Sequence, residues 1–417
     1  MAITTLTTLL LTLAANAPAT PSIRAGAKMS CEYCHGDAKT KLRKSVHAGI
    51  GLGCTGCHGG DPKAMAKNQA HAKDKGWKGA PSGKAIVTLC ASCHSNVRMM
   101  RAYHLPADQQ FEYRTGAHAR SATRDGKPGA TCVDCHNSHD VRRVHDTKSP
   151  VYRSRIPKTC ARCHADAKLM KKYGLKSNTY ESYNKGVHGR LLRSGENLKV
   201  PTCHDCHGSH GVTTFRSREV AFMCGHCHSV TRSYYTQGPH FAAFQSKKLG
   251  ECTTCHGNHG IATPTWALFA NAGPGGCLNS KCHNPRKTGD KGVQVAHTIG
   301  RAIKSFEKQF ASTAARIERA SHDGIALRDA RNDLAEARRV MLRLGPISHS
   351  VSPKLVSAEI DRGRGLLSHA NEEVGVKTRA IRDRRLAAGI ILSLLLVLLG
   401  LLVVKYRQMR RQPVQKS

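Results

Sequence analysis

Cys203-His204-Asp205-Cys206-His207-Gly208-Ser209-His210-Gly211, CHDCHGSHG, packs two cysteines and three histidines into nine residues. The CxxCH spacing within it recurs along the chain, and its recurrence decides how the rest is read. CEYCH supplies Cys31, Cys34 and His35; CTGCH supplies Cys54, Cys57 and His58; CASCH supplies Cys90, Cys93 and His94. CVDCH (Cys132, Cys135, His136) and CARCH (Cys160, Cys163, His164) precede the quoted stretch, and CGHCH (Cys224, Cys227, His228) and CTTCH (Cys252, Cys255, His256) come after it. A ninth copy, CLNSKCH, spaces Cys277 and Cys282 more widely before His283. All 18 cysteines of the 417-residue chain are used, which disfavours scattered structural disulfides and zinc knuckles.

CxxCH is the attachment signature of c-type haem, with two thioether bonds and the adjacent histidine on the iron. Nine copies imply nine covalent haems. Their apolar faces would fill a core that 8 Phe, 2 Trp and 10 Tyr cannot. The formal charge of +37 would otherwise suggest nucleic acid, but eighteen propionates lower it to about +19, so no nucleic-acid partner is expected.

Nine irons need nine further ligands, and sixteen histidines other than the nine that end the motifs are available. Five share one context after a motif and are assigned as distal ligands: His47, His118, His188, His240 and His297. His139, His210 and His259 stand three residues after a motif histidine, too close to reach the far face of their own haem. Each should therefore ligate a neighbour. CTGCH lacks such a residue, and His71 is its nearest substitute, with Met65 as a thioether alternative. His104, His145, His204, His226, His322, His349 and His369 are read as surface or propionate-bonding histidines.

Residues 1–17 carry an apolar run ending in Ala15-Asn16-Ala17, a signal-peptide pattern without a preceding basic residue. Residues 18–297 form the expected nonahaem domain, in which two types of motif alternate as an internal repeat. Residues 298–385 read as a helical hairpin broken at Gly345-Pro346, with Leu327, Ala330, Leu334, Ala337, Met341 and Leu344 on one face. Val356, Ile360, Leu367, Ala370 and Val374 resume the pattern. Residues 386–404 contain no charge and are long enough for one transmembrane helix. Flanking charge is balanced, so the exported haems set the orientation, leaving 405–417 as a basic cytoplasmic tail and the haem domain facing the periplasm.

With these motifs, residues 28–297 resemble the multihaem cytochromes c of anaerobic and metal-reducing bacteria, especially those with doubled CxxCH units and CxxCHxxH. The resemblance implies a mostly irregular and α-helical fold with a haem-filled core, little β structure and bis-histidine irons in a row. It also implies electron transfer from a membrane quinol dehydrogenase or other respiratory complex to periplasmic or outer-membrane cytochromes. Tetrahaem quinol dehydrogenases of this group carry an N-terminal anchor, whereas this one is C-terminal, which argues against direct quinol oxidation. The alternative is a multihaem oxidoreductase acting on nitrite, hydroxylamine or tetrathionate at one open iron, with the second haem as the candidate. No CxxCK motif occurs.

Overall fold

The computed structural model describes residues 30–124, 129–213 and 217–410. The expected signal peptide and the end of the basic tail lie outside them. Among the described residues the structure is helical with no β-strand. Two compact units are formed, one from residues 30–213 with 259–262, the other from 217–258 with 263–410. The cysteine motifs are thus shared, the last three lying in the unit that also holds the long helices.

In the first unit the helices are short, because each motif needs only about one turn. Cys54–His58, Cys132–His136 and Cys203–His207 each wind the cysteines onto one face, three residues apart, with the histidine next along. Thr131 and Asp134 close a capping box over the second of these turns, and Thr202 and Asp205 over the third. Asp205 also receives the fork of Arg153 at 3.0 and 3.2 Å. The same guanidinium donates to the carbonyls of Leu198 and Val200, so the turn and the loop leading into it are held together.

The two types of motif part at the residue just after the histidine. After CTGCH, CVDCH, CHDCH and CTTCH the chain turns left-handed at Gly59, Asn137, Gly208 and Gly257, with φ of 68°, 65°, 81° and 71°. With ψ near 180° this backbone suits glycine, and Asn137 adopts it against that preference. After CASCH and CARCH, Ser95 and Ala165 stay right-handed. The left-handed turn throws the next residues away from the motif, and His139, His210 and His259 leave with them.

Three long helices dominate the second unit: Lys291–His322, Arg328–Ser348 and Pro353–Arg410. They form a three-helix bundle rather than a hairpin, since the first packs on both others. Asp290 accepts hydrogen bonds from the backbone N–H of Gly292 and Val293 and so starts the first helix inside the expected haem region. Ile299, Ile303 and Phe306 meet Ala337, Val340 and Leu344 and, from the third helix, Val356, Ile360 and Leu367. A second cluster joins Ile317, Ala330, Ala370 and Val374. Pro346 does not break the second helix, which runs two residues past it; the turn comes at 349–352. Pro346 gives up its own N–H bond and crowds the carbonyl four residues back, and the helix ends two residues beyond it. The third helix packs on the bundle as far as Ile381 and continues unbroken through Leu386–Val404, all exposed and apolar enough to cross a membrane.

Candidate haem sites

Histidine rings meet in pairs, each pair containing one motif histidine. In the first unit His35 faces His71 at 6.2 Å between ring centres, His47 faces His94 at 6.1 Å, and His58 faces His139 at 6.1 Å. His118 faces His164 at 6.3 Å, His136 faces His210 at 6.2 Å, and His207 faces His259 at 6.0 Å. In the second unit His240 faces His283 and His256 faces His349, both at 6.0 Å.

These distances are those of two imidazoles sharing one iron. Metal–nitrogen bonds of about 2 Å, with each ring centre roughly 1.1 Å beyond its nitrogen, separate the centres by about 6 Å. Such rings are too far apart to touch face to face, and the gap matches the room that one metal ion between them would take. Among the described residues no three or more His, Cys, Asp or Glu side chains converge to hold a bare metal ion. Two ligands suffice only where a macrocycle supplies the other four.

The rings also carry the correct protonation. Burial pushes His47, His94, His118, His164, His240, His256 and His259 below the usual imidazole range. Burial, followed by the proximity of His210 and His94, takes His136 down to about 4. At neutral pH these imidazoles are uncharged and keep a lone pair for a metal. Other motif histidines have one ring nitrogen engaged: Nδ1 of His58 lies 2.9 Å from the carbonyl of Gly79, and Nδ1 of His207 lies 3.0 Å from that of Thr213. In His283 it faces Asp290 Oδ1 at 3.2 Å. Donation from Nδ1 leaves Nε2 as the ligating atom.

The cysteines give the order of the sites. No disulfide forms. Instead the first cysteines of adjacent motifs touch: Cys31 with Cys54, Cys90 with Cys132, Cys160 with Cys203, and Cys224 with Cys252. Between these couples Cys57 lies near Cys93, Cys135 near Cys160, and Cys255 near Cys277 and Cys282. Within each unit the attachment points therefore succeed one another in sequence order.

His71 stands opposite His35 of the first motif, beside Trp77 at 4.3 Å, and not opposite His58. At CTGCH the facing ring comes from downstream, and each CxxCHxxH histidine faces the histidine of an earlier motif: His139 faces His58, His210 faces His136 and His259 faces His207. Met65 is exposed. His297 points to solvent from the first long helix, one residue past buried Ala296. His204 hydrogen-bonds Thr202 Oγ1 at 2.7 Å inside its own motif. His188 opens the helix Val187–Ser194 in the first unit, and His228 closes its motif in the second.

Two tyrosines support the sites without any motif to mark them. Tyr113 and Tyr183, each five residues before a histidine of the His118 and His188 type, donate to the carbonyls of Ala130 and Pro201 at 3.0 and 2.9 Å. Those carbonyls lie two residues before Cys132 and Cys203, so each hydroxyl ties a distal helix to a motif. The equal spacing from the histidine was the available signal.

Residues 46–165, which contain motifs two to five, match the family model described as Cytochrome c3. No curated protein and no solved structure matches the chain.

Proposed function

We propose, from the match of residues 46–165 to the Cytochrome c3 family model, that the chain is a multihaem c-type cytochrome that holds nine covalent haems and relays electrons along them. The donor is a membrane quinol dehydrogenase or another respiratory complex of the cytoplasmic membrane. The acceptors are periplasmic or outer-membrane cytochromes, in anaerobic respiration. The C-terminal helix anchors the protein, with the haem domain facing the periplasm.

The observation that carries this reading is the closure of the ring pairs. Eight motif histidines have a second imidazole at 6.0 to 6.3 Å. Once bound, haem iron supplies reversible one-electron chemistry, and two imidazoles favour low potentials over a methionine-ligated site. The protein's own part is to hold the rings, bury those whose pKa it lowers and set the attachment points side by side. Cys57 near Cys93 and Cys135 near Cys160 bridge successive couples, and this supports a relay through adjacent cofactors. Such closed sites support a carrier over conversion of nitrite, hydroxylamine or tetrathionate, which needs a free position on iron.

The test is to purify the protein in detergent, count haems by intact mass, reduce it and add carbon monoxide. Nine haems and an unchanged spectrum are expected. A shift equal to one haem's absorbance would refute the carrier reading and favour the oxidoreductase.

A further inference from the structure

The CxxCHxxH histidines share a docking arrangement with the distal helices. Val46 N donates to Val141 O at 2.9 Å, Ala117 N to Val212 O at 2.6 Å, and Val187 N to Ile261 O at 2.7 Å. Each donor is the residue before a histidine of the first context, His47, His118 or His188. Each acceptor is the second residue after His139, His210 or His259.

Where a glycine precedes the donor it fits closely. A Cβ on Gly116 would meet His210 O at 3.0 Å, and one on Gly186 would meet His259 O at 3.1 Å. The repeat would therefore need a fourth histidine docked against Gly238, which stands in the same place before His240. CTTCH is the last motif with a left-handed exit, and its own histidine, His259, is already spent on His207.

The backbone against Gly238 belongs to the turn between the second and third long helices. A Cβ there would meet His349 O at 3.0 Å and Ser350 O at 2.8 Å. Pro239, which has no N–H to give, replaces Ala117 and Val187. Val351, two residues past His349, has a φ of 53°, a costly conformation for a β-branched residue. His349 itself faces His256 at 6.0 Å and 29°. Its Nδ1 lies 2.9 Å from Gly345 O, leaving Nε2 toward His256.

We infer that His349 is the distal axial ligand of the haem bound at Cys252 and Cys255, and that the helical bundle stands where a further repeat would otherwise cap the row. This rests on the bis-histidine reading given above. The bundle is then part of the redox site, and not only a stalk.

The test uses the full-length holoprotein in detergent. In His349→Ala, peptide mass mapping should still find haem on Cys252 and Cys255. One haem's worth of high-spin ferric EPR signal should appear, with carbon monoxide binding to one haem after reduction. His349→Met should restore the low-spin state with a raised potential at that haem, which separates loss of a ligand from loss of fold. His297→Ala should leave the spectra unchanged. A fully low-spin His349→Ala protein, a high-spin signal from His297→Ala, or no haem on the Cys252 peptide would each overturn the assignment. A total other than nine, with that peptide loaded and His349→Ala high-spin, would overturn the nine-haem reading alone.

Discussion

Gly363 and Gly365 lie two residues apart on the third long helix and should respond oppositely to alanine. At Gly365 nothing lies within 4 Å of an added Cβ. The change there removes only backbone freedom, a gain of roughly 0.5–1 kcal/mol. At Gly363 the same Cβ strikes the ring of Phe306, at 2.7 Å from Cε2, and Val340 Cγ1 at 3.0 Å. Phe306 and Val340 are both fully buried and cannot withdraw into solvent. Overpacking of this kind costs about 1–3 kcal/mol. The helical gain is common to both variants, so the difference between them is the packing cost alone. That corresponds to roughly 5-fold to 150-fold in local opening. Hydrogen–deuterium exchange of peptides covering 354–372 reads it directly in the intact holoprotein. Gly365→Ala should slow exchange and Gly363→Ala should speed it relative to Gly365→Ala. Adding Phe306→Leu to Gly363→Ala should recover part of the loss. Equal slowing by both alanines would refute the packing of Phe306 on Gly363, and with it the bundle geometry that holds His349.

Other consequences are testable together. His210→Ala should turn high-spin the haem on Cys132 and Cys135, since its ring faces His136, and not the one on Cys203 and Cys206; site-resolved haem mutants with EPR will tell them apart. Ring planes lie within 29° of parallel at His58, His136, His207 and His256, but are turned by 44° to 66° at His35, His94, His164 and His283. Because ligand plane orientation sets the d-orbital splitting, low-temperature EPR of the oxidised protein should show two classes of low-spin signal; a single class would contradict the alternation. His369 is raised above its usual 6.5 by its hydrogen bond to Asp333. The stabilisation it gives the bundle is full below about pH 6.5 and lost as pH rises through the raised value. His369→Asn should flatten that pH dependence in exchange measurements of 354–372.

The covalent motifs were legible because thioether attachment is local chemistry: Cys203, Cys206 and His207 announce themselves in five residues. The bundle was legible too, since Ala337, Leu344, Val356, Ile360 and Leu367 repeat at helical spacing and are all buried. Which ring faces which was not, because the partner is chosen by docking between distant segments. His71 lies nearer in sequence to His58 than to His35, yet the left-handed turn at Gly59 and the fold around Trp77 deliver it to His35. His297 matched the local context of a ligand, but Asp290 extends a regular helix through it, and Ala296, Ile299 and Ile303 take the inward face. His349 carried no local signature at all. It sits at a helix end behind a proline that reads as a break, and only the contact with Gly238 gives it a place in the repeat.

The unbroken helix from Pro353 to Arg410 also sets a height. Thirty-three residues separate Pro353 from Leu386, so the turn bearing His349 stands about 50 Å along the axis from the start of the apolar span. With membrane helices commonly tilted by about 20°, that arm sweeps its tip sideways by roughly 17 Å. On the anchored reading proposed above, a donor that meets the turn bearing His349 would carry its redox centre well above the lipid, and the arm would widen the area over which the two meet.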